Sequence, residues 1–369
     1  MPDRVRIALA GAGEFGREHL KRLAAMPDVE IAGVAEKHPD AAREALAQLG
    51  ITQIAARVQE LIAGKPDGII IATPGRTHVR LAVEALAADI PVLVEKPVGM
   101  SAAEVEALAQ AEAQSHAFVL PGHVMRFSRH HRMLEEIARS AEIGRMLSFT
   151  ARRHRDDSHA VRYADVDPVL MTMIHDIDLG LWMTGDGITA THAERQPANG
   201  VRSDTMMTAR GSGGVSWHLH ASWTFAGMAT PPDRVEIVGE KGSVELEAGA
   251  SIRQFGAKAR VIDLSAIPED PLAEELAYFV RCIRSGERPT VVTMADAVEA
   301  IGIAEAVIAA TRINAASGAW YSPTRIFSSS APASPVARSA DRMDLARNSK
   351  PTSTSAPSIE WKACSWSLF

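Results

Sequence analysis

A chain of 369 residues is long enough for two domains, at ~100–200 residues for each. Its 46% hydrophobic and 23% charged residues suit an ordinary globular protein, and a net charge of −6 argues against a nucleic-acid partner. Two cysteines, Cys282 and Cys364, are too few for a disulfide framework or a cysteine-rich zinc site, which suits a reducing cytoplasm.

Short apolar runs rich in β-branched residues alternate with helical patterns over the first 120 residues. A strand at Val5–Ala10 leads to a helix at Glu14–Ala25, then a strand over 30–36 and a helix over 41–49. GIIIAT (68–73) and VLVEK (92–96) are continuous apolar runs, as parallel strands covered on both faces require. Helices over 77–88 and 101–115 follow them, and a last strand covers 118–120. This alternation predicts an α/β fold with an N-terminal Rossmann domain, a doubly wound parallel sheet, over 1–122.

The pattern changes after Gly122. A helix over 128–140 precedes a strand over 146–154, a loop, and a helix over 169–184. From 188 to 263 several strands are separated by glycines without intervening helices, which predicts a largely antiparallel open sheet. Pro271–Ser285 and 294–316 read as two closing helices of this substrate and oligomerisation domain, 123–326. Residues 327–369, rich in Ser, Ala, Pro and Arg, have no periodic apolar face, so a disordered tail is expected. The opening MPDRVRIALAGAG lacks a signal-peptide pattern and no run of ~18 apolar residues occurs, so a soluble, cytoplasmic protein is expected.

Gly11-Ala12-Gly13-Glu14-Phe15-Gly16 is a GxGxxG directly after a strand and at the opening of a helix. The first glycine permits a tight turn, the second lets backbone approach a pyrophosphate, and the third allows close packing of helix on strand. The helix N-terminus attracts the phosphates. Glu36 ends the second strand 20 positions beyond the last glycine. There a carboxylate accepts hydrogen bonds from ribose hydroxyls and repels a 2′-phosphate, favouring NAD over NADP, while Lys37 softens that preference.

Further along, Ala72-Thr73-Pro74 with His78, and Glu95-Lys96-Pro97, resemble the TP…H and EKP motifs of the glucose–fructose oxidoreductase/inositol dehydrogenase (Gfo/Idh/MocA) family. Gly122-His123-Val124-Met125-Arg126-Phe127 and Ile174-His175-Asp176-Ile177-Asp178-Leu179, with Trp182 and Gly185, are similar to later segments of the same family, in the same order. The resemblance covers roughly residues 5–320. It implies a Rossmann domain plus an α/β domain whose open sheet makes a subunit interface in a homo-oligomer. It places Thr73, Pro74, His78 and Glu95 around the cofactor, Lys96 beside the nicotinamide, and His175 as the proton carrier. Arg126, His154, Asp156, Thr172 and His175 are the implied substrate contacts. Where many members carry an aspartate four residues before this histidine, the chain has Met171, which leaves Lys96 to work with His175 alone or marks a different substrate.

The chemistry of these residue types agrees with that assignment. Oxidising a secondary alcohol needs a hydride acceptor and a base; histidine titrates near neutrality, and a desolvated lysine has a lowered pKa. Lys96 ends a parallel strand, at the edge where doubly wound sheets bind ligands. Asp178, one helical turn after His175, is a candidate for fixing its tautomer. His218 and His220 alternate on one strand and His130 and His131 are adjacent on a helix, but neither pair has two further ligands at suitable spacing, so no metal is expected. Trp217 and Trp223 read as packing more than as a sugar platform. The expected function is hydride transfer between nicotinamide and a secondary hydroxyl of a polyol, inositol, sugar or sugar acid. A sugar–sugar oxidoreductase with retained cofactor, or a non-catalytic dinucleotide or metabolite sensor, is the alternative.

The tail gives the first test. A chain truncated after Phe327 is expected to keep its fold, cofactor binding and activity, and limited proteolysis to cut first between Ser328 and Pro357. Protection of that stretch, or activity lost on truncation, would make the tail a working part of the protein.

Overall fold

The computed structural model describes residues 4–199, 202–227 and 229–317. The expectations for 327–369 lie outside the described residues.

Strands β1 (Val5–Ala10), β2 (Val29–Ala35), β3 (Ile54–Ala55), β4 (Gly68–Ile71), β5 (Val92–Glu95) and β6 (Val119–Gly122) form one parallel sheet in the order β3-β2-β1-β4-β5-β6. Helices α1 (Glu14–Ala25), α2 (Pro39–Ala47), α3 (Val58–Ala63), α4 (His78–Leu86) and α5 (Ala102–Ala113) make the crossovers. The central strands β1, β4 and β5 are almost wholly buried, which accounts for their unbroken apolar runs. Chain order reverses between β1 and β4, the switch point where such sheets bind ligands beyond their strand C-termini. The sixth strand runs two residues further than its predicted end and contains Pro121, tolerated because β6 is an edge strand.

A second sheet has the order β14-β13-β12-β11-β7-β10-β9-β8. Its strands are β7 (Met146–Asp156), β8 (Ile188–Asn199), β9 (Arg202–Gly211), β10 (Ser216–Phe225), β11 (Arg234–Gly239), β12 (Gly242–Glu247), β13 (Ser251–Gly256) and β14 (Arg260–Asp263). Every neighbouring pair is antiparallel except β7 with β10. Strand alternation divides it into two faces. Phe149, Ala151, Trp217, Leu219, Ala221, Val235 and Ile237 point inward and are buried. Here α8 (Ile174–Thr184) crosses the sheet, with Gly180 against the Trp217 ring. Both tryptophans are packing residues, Trp217 and Trp223 each being 0% exposed.

Three local features escape prediction. Strand β3 and helix α3 are too short for a periodic signal. The expected loop after β7 contains a short helix, α7 (Ser158–Arg162). The helix predicted over 169–184 begins instead as a π-helical turn, Val169–Met173, before α8. Helix α6 (Arg129–Ala138) precedes β7, and α9 (Pro271–Ser285) and α10 (Met294–Ser317) close the fold. On α9, Phe279 meets Phe118 edge-on at 6.0 Å and packs against Gly68. No described helix is long and apolar enough to cross a membrane.

A Cβ on Gly180 would overlap the Trp217 ring, and both are held by packed neighbours. Gly180→Ala is therefore expected to lower the unfolding free energy by about 1–3 kcal/mol in urea titration, the usual cost of overpacking. An unchanged midpoint would mean that the helix shifts freely over the sheet.

Candidate active site

The turn after β1 is built from close approaches. Gly11 has φ +97°, and a Cβ there would lie 2.5 Å from the Ala72 carbonyl oxygen. A Cβ on Gly16 would overlap the Gly11 carbonyl oxygen, so α1 packs directly on the turn. Gly13 is different: a Cβ there would meet nothing within 4 Å. It leaves an open cradle at the first turn of α1, as close approach of a pyrophosphate requires. Glu36 stands beside this cradle, its Oε2 accepting from Ala12 N at 2.8 Å and its Oε1 from His38 N at 3.1 Å. The residues present thus fit a dinucleotide, with an open cradle at Gly13 and the Glu36 carboxylate beside it. Phe15 packs edge-on against His19 at 5.2 Å.

The turns after β4 and β5 are tied together by His78. Its Nε2 lies 2.6 Å from Thr73 O and its Nδ1 2.9 Å from Pro97 O. Burial pushes its pKa down, so the ring is neutral and donates to one of the two oxygens. Thr73 shares a hydroxyl hydrogen bond of 2.7 Å with Thr77, and Pro74 begins the turn. Beneath the second turn, the Glu95 carboxylate meets His19 Nε2 at 2.7 Å and accepts from Lys96 N at 3.2 Å. Glu275 of α9 is fully buried with neither carboxyl oxygen bonded; burial, and then the charge on Glu95, push its pKa well above the carboxylate range.

Lys96 ends β5, and its Nζ donates to the main-chain oxygen of Met171 at 3.0 Å, with the Met171 sulfur at 3.6 Å. Desolvation lowers its pKa to about 8, with repulsion from Arg155 and Arg153 adding to the effect and attraction to Glu95 opposing it. His175 is buried on the first turn of α8, and its Nε2 has no partner. Desolvation, then the charges of Lys96 and Arg153, hold it well below the ordinary histidine range, so the ring is neutral. The π-helical turn presents Met171 O to Lys96 and the Thr172 hydroxyl to Trp223 Nε1, at 2.8 Å. Such turns are frequent at functional sites.

The remaining expected contacts are arranged differently. Arg126 is buried and committed within the protein: Nε and Nη2 donate to Asp178 at 2.6–3.0 Å, and Nη2 reaches Asp296 at 3.2 Å. It braces α8 against the start of α10, and Asp178 serves Arg126, not the tautomer of His175. His154 points to the outer face of the second sheet, because it shares parity with Thr150 and Arg152, opposite to Arg153 and Arg155. There its Nε2 meets His220 Nδ1 at 3.3 Å, and His220 Nε2 meets Asp204 at 2.8 Å. Asp156 accepts from Ser158 N at 2.8 Å and holds the entry to α7.

Strand alternation puts two arginines that sequence reasoning passed over on the inner face. Arg153 bonds Asp176 at 2.9 Å and Asp233 at 2.6 Å, and Arg155 bonds both Asp233 oxygens at 2.7 and 2.9 Å. Burial opposes the charge on Asp233, but Arg153 and Arg155 outweigh it and hold its pKa below the usual value. His159, lowered to about 4 by burial and then by Arg155, also feels Lys96. The signal was present as the run Arg152-Arg153-His154-Arg155, where only alternation decides which side chains face the chemistry. Among the described residues no three His, Cys, Asp or Glu side chains come together as a metal site.

Residues 5–123 match the oxidoreductase family model described as an NAD-binding Rossmann fold, and residues 131–245 match the GFO/IDH/MocA C-terminal domain. The chain belongs to the GFO/IDH/MocA family. It is similar to inositol 2-dehydrogenase 1 of Paenarthrobacter aurescens, 31% identical over 52% of this chain and 57% of that protein. It thus spans little more than half the length of that curated relative. With the rhizopine catabolism protein MocA of Rhizobium meliloti it is 29% identical over 82% of this chain and 94% of the relative. The fold is shared with the Lactobacillus casei scyllo-inositol dehydrogenase solved with NAD(H) and scyllo-inositol, at a TM-score of 0.75 and 18% identity, covering 87% of this chain and 100% of that one.

As a GFO/IDH/MocA protein with Glu36 beside its glycine turn, the chain is expected to bind NAD more tightly than NADP in calorimetric titration. Glu36→Ser should narrow the gap, whereas Gly13→Ala should weaken both cofactors without moving the unfolding midpoint. Equal binding of the two cofactors by the wild type would remove Glu36 from the selection.

Proposed function

We propose that the protein is an NAD-dependent dehydrogenase acting on CH–OH groups, interconverting a secondary hydroxyl of a polyol, inositol, sugar or sugar acid with the ketone. The observation that carries this reading is Lys96, an amine with a pKa of about 8 at the C-terminal edge of the parallel sheet, beside a neutral, buried His175. Bound NAD supplies the hydride acceptor. Lys96 is then the better base, because a group with a pKa near the working pH both accepts and releases a proton. His175 has an unpartnered Nε2 and a pKa held well below the ordinary histidine value by burial, so the neutral ring orients the hydroxyl by hydrogen bonding. This moves the proton-carrying role that the family resemblance gives His175 to Lys96. The Met171 carbonyl fixes the amine without adding the charge that a carboxylate would. The same reading makes the enzyme a cytoplasmic homo-oligomer, a dimer or tetramer, joined through the outer face of the second sheet. Met206, Phe255 and Val261 stand 54%, 50% and 70% exposed there.

Below about pH 8 Lys96 is an ammonium and cannot take the hydroxyl proton, so alcohol oxidation rises with pH through that value. Ketone reduction needs the ammonium and falls across the same range. Lys96→Ala and His175→Ala should each lower turnover by ~10²-fold or more, the scale of general acid–base groups, while NAD binding persists. Met171→Asp places an anion near Nζ, which raises the lysine pKa and moves both the rise of oxidation and the fall of reduction to higher pH. NADH absorbance with inositols, sugars and sugar acids measures all three. Turnover by Lys96→Ala at the wild-type rate would remove the amine from the mechanism.

A further inference from the structure

The segment between β7 and the π-helical turn runs across the C-terminal edge of the Rossmann sheet and is held there by two ion pairs. Arg162, the last residue of α7, places Nη1 2.9 Å from Glu14 Oε2. Glu14 is the first residue of α1, next to the open cradle at Gly13. Arg76, in the turn after β4, donates to the Asp165 main-chain oxygen at 3.2 Å and stands 3.8 Å from its carboxylate. The two contacts lie on either side of the switch point between β1 and β4, so the strap bridges the crevice that a dinucleotide bound at the glycine turn would enter.

Its packed side and the side towards the Rossmann sheet are held differently. At the start, Asp156 secures Ser158, and His159 and Tyr163 pack around Trp223 with centroids 5.6–6.5 Å apart. At the finish, Arg195 grips both oxygens of Asp167 at 2.7 and 2.8 Å, and Asp167 accepts from Val169 N and Met171 N. The side towards the Rossmann sheet rests on exposed pairs, with Arg162 and Glu14 at 40% and 47% and Arg76 and Asp165 at 65% and 84%. Exposed pairs of this kind are weak. A carboxylate on the first turn of α1 suits the helix dipole but repels phosphate, and Arg162 is the cation that offsets it. A pyrophosphate at Gly13 would offer that guanidinium two anionic groups and a planar fork to match.

We propose that Arg162 is a pyrophosphate-binding residue, released from Glu14 when the dinucleotide enters, and that the strap of residues 157–167 latches over the cofactor through it. The proposal rests on the NAD reading of the glycine turn. Calorimetry and stopped-flow fluorescence with NAD, ADP and adenosine test it on Arg162→Ala and Glu14→Gln. Arg162→Ala is expected to weaken NAD and ADP by about tenfold, mostly through faster dissociation, and to leave adenosine, which has no phosphate, unchanged. Glu14→Gln removes the competing carboxylate and should tighten NAD and ADP. Unchanged affinity for NAD and ADP in Arg162→Ala, or an equal loss for adenosine, overturns the latch while the cofactor reading stands. Failure of the wild-type protein to bind NAD or ADP overturns the cofactor reading and the latch with it.

Discussion

Burying an arginine is tolerable only where carboxylates and carbonyls meet its donors, and the interior of this protein is organised by that constraint. Arg153 and Arg155 project from β7 into a space closed by α8 and by Asp233, which precedes β11. Asp233 takes both guanidinium groups and Asp176 takes one of them a second time. Arg126 does the same with Asp178 and Asp296, one turn along α8 and at the start of α10. The successive acids of the His175 helix, Asp176 and Asp178, are therefore spent on two different arginines. That fixes the roll of α8 about its axis, and with it the direction in which His175 points. Removing one partner would strand the other as an unpaired buried charge, so these positions hold one another in place.

The positive charge gathered by this arrangement also conditions the chemistry. Lys96 and His175 both lose proton affinity, chiefly through burial and further through neighbouring cations, while Glu95 opposes the loss at Lys96. On the dehydrogenase proposed above, these two nitrogen bases would take different roles, the amine with its pKa of about 8 carrying the proton and the neutral imidazole orienting the hydroxyl. Separating acid and base assignments through environment, with no change of residue type, is a general way of setting up proton transfer. Beside Glu95, the buried Glu275 has its pKa pushed well above the usual carboxylate value by burial and then by the Glu95 charge. Glu95 is the carboxylate whose attraction raises the pKa of Lys96 against its burial.

Much of the architecture was legible because the Rossmann half advertises itself. Parallel strands buried on both faces leave continuous apolar runs, and Gly11 and Gly16 have steric reasons that the structure bears out in φ and in close contacts. Two-residue β3 and six-residue α3 fall below the length at which periodicity is measurable. The second half was legible as a sheet but not as a face. Resemblance selected His154 and Asp156, whereas alternation along β7 turns Arg153 and Arg155 inward and His154 outward. A one-residue choice of phase cannot be made from a strand whose two faces both carry charge and histidine. The ion pairs of Arg126 were hidden for another reason: its partners Asp178 and Asp296 lie 52 and 170 residues away, and nothing local announces them.

The π-helical turn has a genetic consequence. A π turn holds one residue more than the α-helical turn it replaces, so losing any single residue from Val169–Met173 would leave a regular helix that still folds. The residues before the deletion would be rotated by about 100° relative to α8. Met171 would withdraw its carbonyl from Lys96 as Thr172 withdrew its hydroxyl from Trp223, a site contact and a core contact together. Substitutions can alter the side chain at position 171 one at a time, as the methionine there illustrates. The length of the turn has no such freedom, and a lineage that changed it would have to rebuild the amine's support and the packing beneath it in a single step.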